Sequence, residues 1–277
     1  MPICLPSFIG VAQPAGGGAF NNYSISLDGT NQTSLDVAST SDFAFGTSGF
    51  SIGFWFKPDG TNNSSGFGVN IFDMRTNSPN QAKPTLWMSS VGSGSILKYY
   101  AAGVFTTTWS GTLNSGSWYH LLITNDGSDT KFYLNGNSNA IATGSDTTSY
   151  ISAALRVGGY SGNGYYYQGL TDEFAIWDAT LSGADSTAIY NSGNPNDLDL
   201  AASYDTDRTS NLIGWWRMGD GSDGSGNADG TLVNIGGTDF PQIYNVATDG
   251  SGNRITGIDG SLTNIASPNG IVSDVPS

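Results

Sequence analysis

The chain has one glutamate, one histidine and one cysteine among 277 residues, and each scarcity closes off a class of chemistry. Retaining hydrolysis of a glycosidic bond uses two carboxylates about 5–5.5 Å apart. With Glu173 standing alone a glutamate pair is excluded, and no strand-like segment sets aspartates at i and i+2 or i+4 in an apolar frame. A single imidazole, His120, rules out a metal centre built from several histidines. Its setting beside Trp118 predicts packing or a backbone hydrogen bond. Cys4 has no partner for an internal disulfide, and no histidine or basic neighbour lowers its thiol pKa. Lys and Arg number 9 against 23 acidic residues, a net charge of −14 that repels phosphate backbones and argues against nucleic acid. No apolar run approaches the ~20 residues of a membrane-spanning helix. The opening "MPICLPSFIGVAQPAGGGAF" lacks a basic n-region and a long apolar core, so synthesis without an export signal is expected.

What is abundant points to strands and turns. Glycine numbers 39, and all but one of the 23 acidic residues are aspartate, which favours turns and caps where glutamate favours helix interiors. Residues 1–20, with three prolines and Gly16-Gly17-Gly18, read as an extended arm. From Tyr23 onward, short alternating segments recur at the spacing of a sandwich. "FSIGFWFKP" sets Phe50, Ile52, Phe54 and Phe56 on one face and Trp55 on the other. "SWYHLLITND" and "TKFYLNG" form a hairpin across Asp126-Gly127, and Asn135-Gly136 turns the chain again. Ser182 caps one short helix with Asp185 as a variant capping box, and Gly193 is placed to end it. Residues 194–210 read as a polar linker loop. "DGTLVNI" from Asp229 and "DGSLTNI" from Asp259 form a two-copy echo, too few for a solenoid.

Four stretches taken in order resemble the laminin G-like jelly rolls of the concanavalin A-like lectin/glucanase superfamily. They are "YSISLDGTNQTSLDV", "FSIGFWFKPDG", "GSWYHLLITNDGSDTKFYLNG" and "LRVGGYSGNGYYYQGLTDEFAIWDATLS". The resemblance implies an all-β sandwich of two antiparallel sheets with one short helix, over residues 21–193. "NLIGWWRMGDGSDGSGNADGTL" resembles the segment that normally opens such a domain, although it follows the helix here. A circularly permuted edge strand explains that order, with residues 211–277 packing on or completing the sandwich. The same segment, 211–277, also resembles C-terminal ends of marine bacteriophage structural proteins.

The resemblance further implies calcium, with Asp172 in the family's Asp-Glu strand and Asp28 in the "LDG" turn as ligands. Asp220, Asp223, Asn227 and Asp229 form a second candidate loop, without the terminal glutamate of an EF-hand. Tyr165, Tyr166 and Tyr167, with Tyr160 nearby, set at least one ring toward solvent, where Asn163 and Gln168 can bond sugar hydroxyls. A sugar platform and a protein contact fit these tyrosines equally well. Trp55, Trp118 and Trp177 sit in apolar strand frames and read as core. Trp215 and Trp216 point to opposite faces, one inward and one toward an interface.

Two functions follow as expectations. One is a non-enzymatic virion protein of a phage, a capsid decoration, knob or tail-fibre component, assembled in the host cytoplasm with other virion proteins and copies of itself. The alternative is a carbohydrate-binding lectin module recognising a cell-surface glycan, in the virion or extracellular. A bacterial adhesin or filament subunit is a minor third.

Overall fold

A computed structural model describes residues 24–29, 33–60, 62, 68–75, 80–160, 164–217, 230–233 and 271–272. The arm 1–20 with Cys4, Asn163, the loop carrying Asp220, Asp223, Asn227 and Asp229, and the second echo from Asp259 lie outside the described residues.

Fifteen strands make two sheets among the described residues. They are β1 Ser24–Asp28, β2 Ser34–Thr40, β3 Phe50–Pro58, β4 Val69–Asp73, β5 Thr85–Ser89, β6 Gly92–Ala101, β7 Val104–Leu113 and β8 Tyr119–Asn125. Then follow β9 Asp129–Leu134, β10 Ala142–Ser145, β11 Ala153–Val157, β12 Gln168–Trp177, β13 Leu212–Trp216, β14 Gly230–Val233 and β15 Ile271–Val272. One sheet runs β10-β9-β8-β3-β12-β1-β15, with β13 also on β12. The other runs β14-β2-β11-β4-β5-β6-β7, and every ladder is antiparallel.

The period-2 pattern of β3 shows why the sheets face each other. Phe50, Ile52, Phe54 and Phe56 enter the inter-sheet core, while Trp55 faces out. Phe54 stacks on Phe174 at 5.3 Å and meets Phe72 edge-on at 5.8 Å, so three strands of both sheets share one aromatic contact. Buried phenylalanines of this kind cost about 3–5 kcal/mol when cut to alanine. At one end of the core, Tyr99 donates to Tyr150 at 3.0 Å, and Tyr150, Thr130 and Asn125 all donate to the buried carboxylate of Asp146.

A second apolar layer covers the outside of the first sheet. The helix α1, Gly183–Tyr190, carries the expected capping box between Ser182 and Asp185. It ends earlier than expected, because Asn191 takes the left-handed cap conformation at φ 46° before Gly193 is reached. Residues 194–210 do not behave as a free linker, since Leu198 and Tyr204 are buried in this layer against Trp177, Leu212 and Trp215. Tyr204 also accepts a hydrogen bond from the Trp177 indole at 3.1 Å. Trp55 and Trp177 are therefore buried, but beneath this layer and not between the sheets. Trp118 is only half-buried, with the Lys57 ammonium 6.0 Å from its ring. Trp216 enters the inter-sheet core and Trp215 the outer layer, so both are buried and neither forms an exposed interface. His120 lies between Trp55 and Tyr190 in the same layer, and burial pushes its imidazole pKa down to about 3.

The strand after the helix is where the odd segment order resolves. Residues Phe174 to Trp177 pair with β13, and Gln168 to Thr171 pair with β1, along the same edge of β12. Both partners run antiparallel to β12, so β13 leads into β1 as one interrupted strand. At the junction β12 bulges between Asp172 and Ala175, and Glu173 sits at φ 48°. Its carboxylate accepts from the Trp215 indole and from Arg217 Nε, the latter at 3.3 Å. The lone glutamate thus ties the end of β13 to the bulge. Further along, β14 adds to the edge of β2 and β15 to the edge of β1.

Candidate functional site

The loop between β11 and β12 carries the tyrosine run across one end of the second sheet. Gly158 N–H donates to Ile71 and Asn70 N–H to Tyr165, which fastens this loop against β4. In β4, Phe72 faces the core, so its neighbour Asp73 faces outward, and the register extends that outer row to Arg156, Thr85 and Tyr100. The tyrosines then separate by chemistry. Tyr167 is fully buried in the inter-sheet core. Tyr166 is half-buried, covers Gly159 and lies within electrostatic reach of Arg156. Tyr165 is 44 % exposed and holds its ring edge-on to Trp87 at 4.8 Å. Tyr160 lies with its ring 4.9 Å from the Arg75 guanidinium.

Arg75 organises this face. Its guanidinium grips the buried Asp73, Nε donating to both carboxylate oxygens and Nη2 to Oδ2, and lies 5.0 Å from Tyr100 and 5.6 Å from Trp87. Burial pushes the Asp73 carboxyl up while Arg75 pulls it down. Phe105 then meets Tyr100 at 5.1 Å and Trp87 at 6.4 Å, and the Lys98 ammonium lies 5.3 Å from the Phe105 ring. Three rings, Trp87, Tyr100 and Tyr160, therefore lie within 5.6 Å of one buried cation, and Phe105 and Tyr165 pack against those rings. Tyr165 holds this position at φ 63°, a left-handed conformation that costs a side-chain-bearing residue about 1 kcal/mol or more. An exposed ring is kept there against its backbone preference.

Asp28 and Gln168 are neighbours, but on the other sheet. They face each other in the β1–β12 ladder and line a depression of about 540 Å³ with Lys57, Asp59, Ser115 and Leu170. Asp28 Oδ1 accepts from the Thr33 hydroxyl at 2.6 Å. Asp172 lies four residues along β12 from Asp28's partner, about 13 Å at strand rise. Its side chain is fully buried, with one oxygen accepting the Glu173 N–H at 2.8 Å. Asp28 and Asp172 therefore do not fit a single calcium ion, and among the described residues no three His, Cys, Asp or Glu converge on a metal. The register, which sequence spacing does not carry, separates them.

A family model described as the concanavalin A-like lectin/glucanases superfamily matches residues 17–185, more than half of the chain. The chain belongs to this superfamily. The two antiparallel sheets and single short helix are its jelly roll. Among solved structures, the chain is similar to a heptameric SAP-like pentraxin from Limulus polyphemus, at 16 % identity and TM-score 0.48, over 62 % of this chain and 82 % of that one. It is also similar to domain 4 of AbnA, a GH43 extracellular arabinanase from Geobacillus stearothermophilus in complex with arabinotriose, at 18 % identity and TM-score 0.45, over 61 % and 76 %. No curated protein sequence matches the chain, and the phage resemblance of residues 211–277 gains nothing from these comparisons.

The superfamily sandwich gave the tyrosines a place, but Arg75, Trp87, Tyr100 and Phe105 were not singled out from sequence. A signal was present. In "TLWMS" and "SILKYYA" the apolar parity falls on Leu86, Met88, Leu97 and Tyr99, which leaves Trp87, Lys98 and Tyr100 on the outward parity. Large aromatics at outward positions of two neighbouring strands mark a surface kept for contact.

Proposed function

We propose that this superfamily member is a non-catalytic carbohydrate-binding module, and that the outer face of its second sheet is the glycan platform. One observation carries the reading: Tyr165 is exposed, strained at φ 63° and braced edge-on by Trp87 over the Arg75 cluster. Sugar rings present C–H faces that lie on aromatic faces, and a ring fixed in advance loses little side-chain entropy on binding. The half-exposed Tyr100 and Tyr160 extend the surface beside it. Glu173 is committed to Trp215 and Arg217, so its carboxylate serves the seam and not a substrate.

The test is a glycan array with the wild type, Tyr165→Ala and Tyr100→Ala, each verified as folded by its melting curve. The expected result is a defined set of glycans bound by the wild type and weakened at least tenfold by either variant, about 1.4 kcal/mol. Glycan binding unchanged in both variants would move the site to the 540 Å³ depression around Asp28 and Gln168. No binding by the folded wild type would overturn the lectin reading. The virion role expected from the sequence finds no support in the family match or in the similar structures.

A further inference from the structure

The tyrosine face differs in charge from the rest of the chain. Of the eight Lys and Arg among the described residues, four gather here: Arg75, Lys83, Lys98 and Arg156. Arg75 pairs with Asp73 and Arg156 with Asp36, through 2.7 Å contacts in the second case. Lys83 lies within electrostatic reach of the same Asp73, and Lys98 stands beside Phe105 opposite Trp87 in the ladder. Four cations thus face two carboxylates, a local surplus of positive charge in a chain of net charge −14. Elsewhere in the sequence the remaining five basic residues are set among 21 acidic ones.

The dimensions of the patch limit what it can take. Its cations attach at or beside β11, β4, β5 and β6, adjacent strands that together span about 14 Å. At physiological salt, charges beyond about 8 Å are largely screened. One anionic group on the tyrosine face therefore feels the local cations more than the distant aspartates. A polyanion charged at every unit would run off the patch onto acidic surface, where each further charge is repelled.

Building on the platform reading, we infer that the glycan bound here carries an isolated carboxylated sugar flanked by neutral ones, with Lys98 as its contacting cation and Arg75 and Lys83 behind it. The tyrosines take the neutral ring faces, and the cations select the carboxylate. Uronic and sialic acids share this chemistry.

The probe is an array in which every oligosaccharide carrying a uronic or sialic acid is paired with its carboxyl-reduced twin, beside neutral glycans and dextran sulfate. The wild type, Lys98→Gln and Tyr165→Ala are compared on it. The expected result is acidic members bound at least tenfold more tightly than their reduced twins, with that ratio collapsing toward one in Lys98→Gln. Tyr165→Ala weakens both twins together. Equal binding of the twins, or a preference for dextran sulfate, overturns the carboxylate inference and leaves the lectin reading standing. Absence of binding to every glycan by a folded wild type overturns both. Whether uronic or sialic members respond identifies the source of the carboxylate.

Discussion

Replacing Tyr165 by glycine and, separately, by alanine tests whether the proposed platform is held under backbone strain. The two variants lose the same ring. Tyrosine buries about 150–250 Å² when fully enclosed. At 44 % exposure, roughly half of that is lost, a common cost of about 2–3 kcal/mol at 25 cal/mol per Å². They differ only in the backbone. At φ 63° alanine keeps the clash of its Cβ with the carbonyl, about 1–2 kcal/mol, whereas glycine has none. Glycine in turn gives the unfolded chain more freedom, worth about 0.4–1 kcal/mol against it. Tyr165→Gly should therefore exceed Tyr165→Ala in stability by about 0.5–1 kcal/mol, the reverse of the usual order. Urea unfolding followed by tryptophan fluorescence would show this as a midpoint higher by about 0.2–0.3 M at a slope of ~3 kcal/mol/M. Both variants should lose glycan binding equally. An alanine variant as stable as the glycine variant, or more so, would refute the strain and remove the reason for reading Tyr165 as a kept contact.

Three other perturbations probe the scaffold. His120 is neutral in the fold, with its pKa near 3, while the unfolded chain protonates it below about 6.5. Stability is therefore fully present above pH 6.5 and declines on acidification toward pH 3, by about 2 kcal/mol between pH 7 and 5. His120→Gln should flatten urea midpoints over that interval, and an unchanged slope would show that the imidazole is not buried. Glu173→Ala strips the Trp215 indole and Arg217 of their shared acceptor. An expected loss of about 3 kcal/mol, with faster amide exchange in β13 and the start of β1, would locate the damage at the seam; exchange that rises uniformly would count against it. Tyr150→Phe deletes the hydroxyl between Tyr99 and Asp146 and should cost about 1–3 kcal/mol by denaturant unfolding. A neutral effect would mean that water replaces it.

The features legible in the sequence were those set by neighbours along the chain. The alternation of Phe50, Ile52, Phe54 and Phe56 against Trp55 defined both faces of β3, because side chains alternate across any strand. The Asp126-Gly127 turn and the Ser182–Asp185 box were readable because their partners lie two or three residues apart. The segment order of 211–216 was readable as an anomaly, since "NLIGWW" resembles an opening strand placed late.

What pairs across sheets was not legible. Nothing local says that Asp172 sits four positions from Asp28's partner, about 13 Å along the backbone of β12, so residues matched to a shared role by resemblance lie well apart in the sheet. Residues 194–210 look polar as a string, yet Leu198 and Tyr204 supply the lid over Trp177 because the uncovered sheet face demands one. Arg75, Trp87, Tyr100, Phe105 and Tyr165 are drawn from five separate stretches, and no sequence window contains them together. The sequence by itself determined the alternation of strands such as β3, the Asp126-Gly127 turn and the helix cap, since these follow from periodicity and short-range hydrogen bonds, and its ordered motifs carried the resemblance to the superfamily. Only the tertiary structure decided the aromatic cluster around Arg75 and its neighbouring cations, because strand register and sheet order, not chain proximity, bring those side chains together.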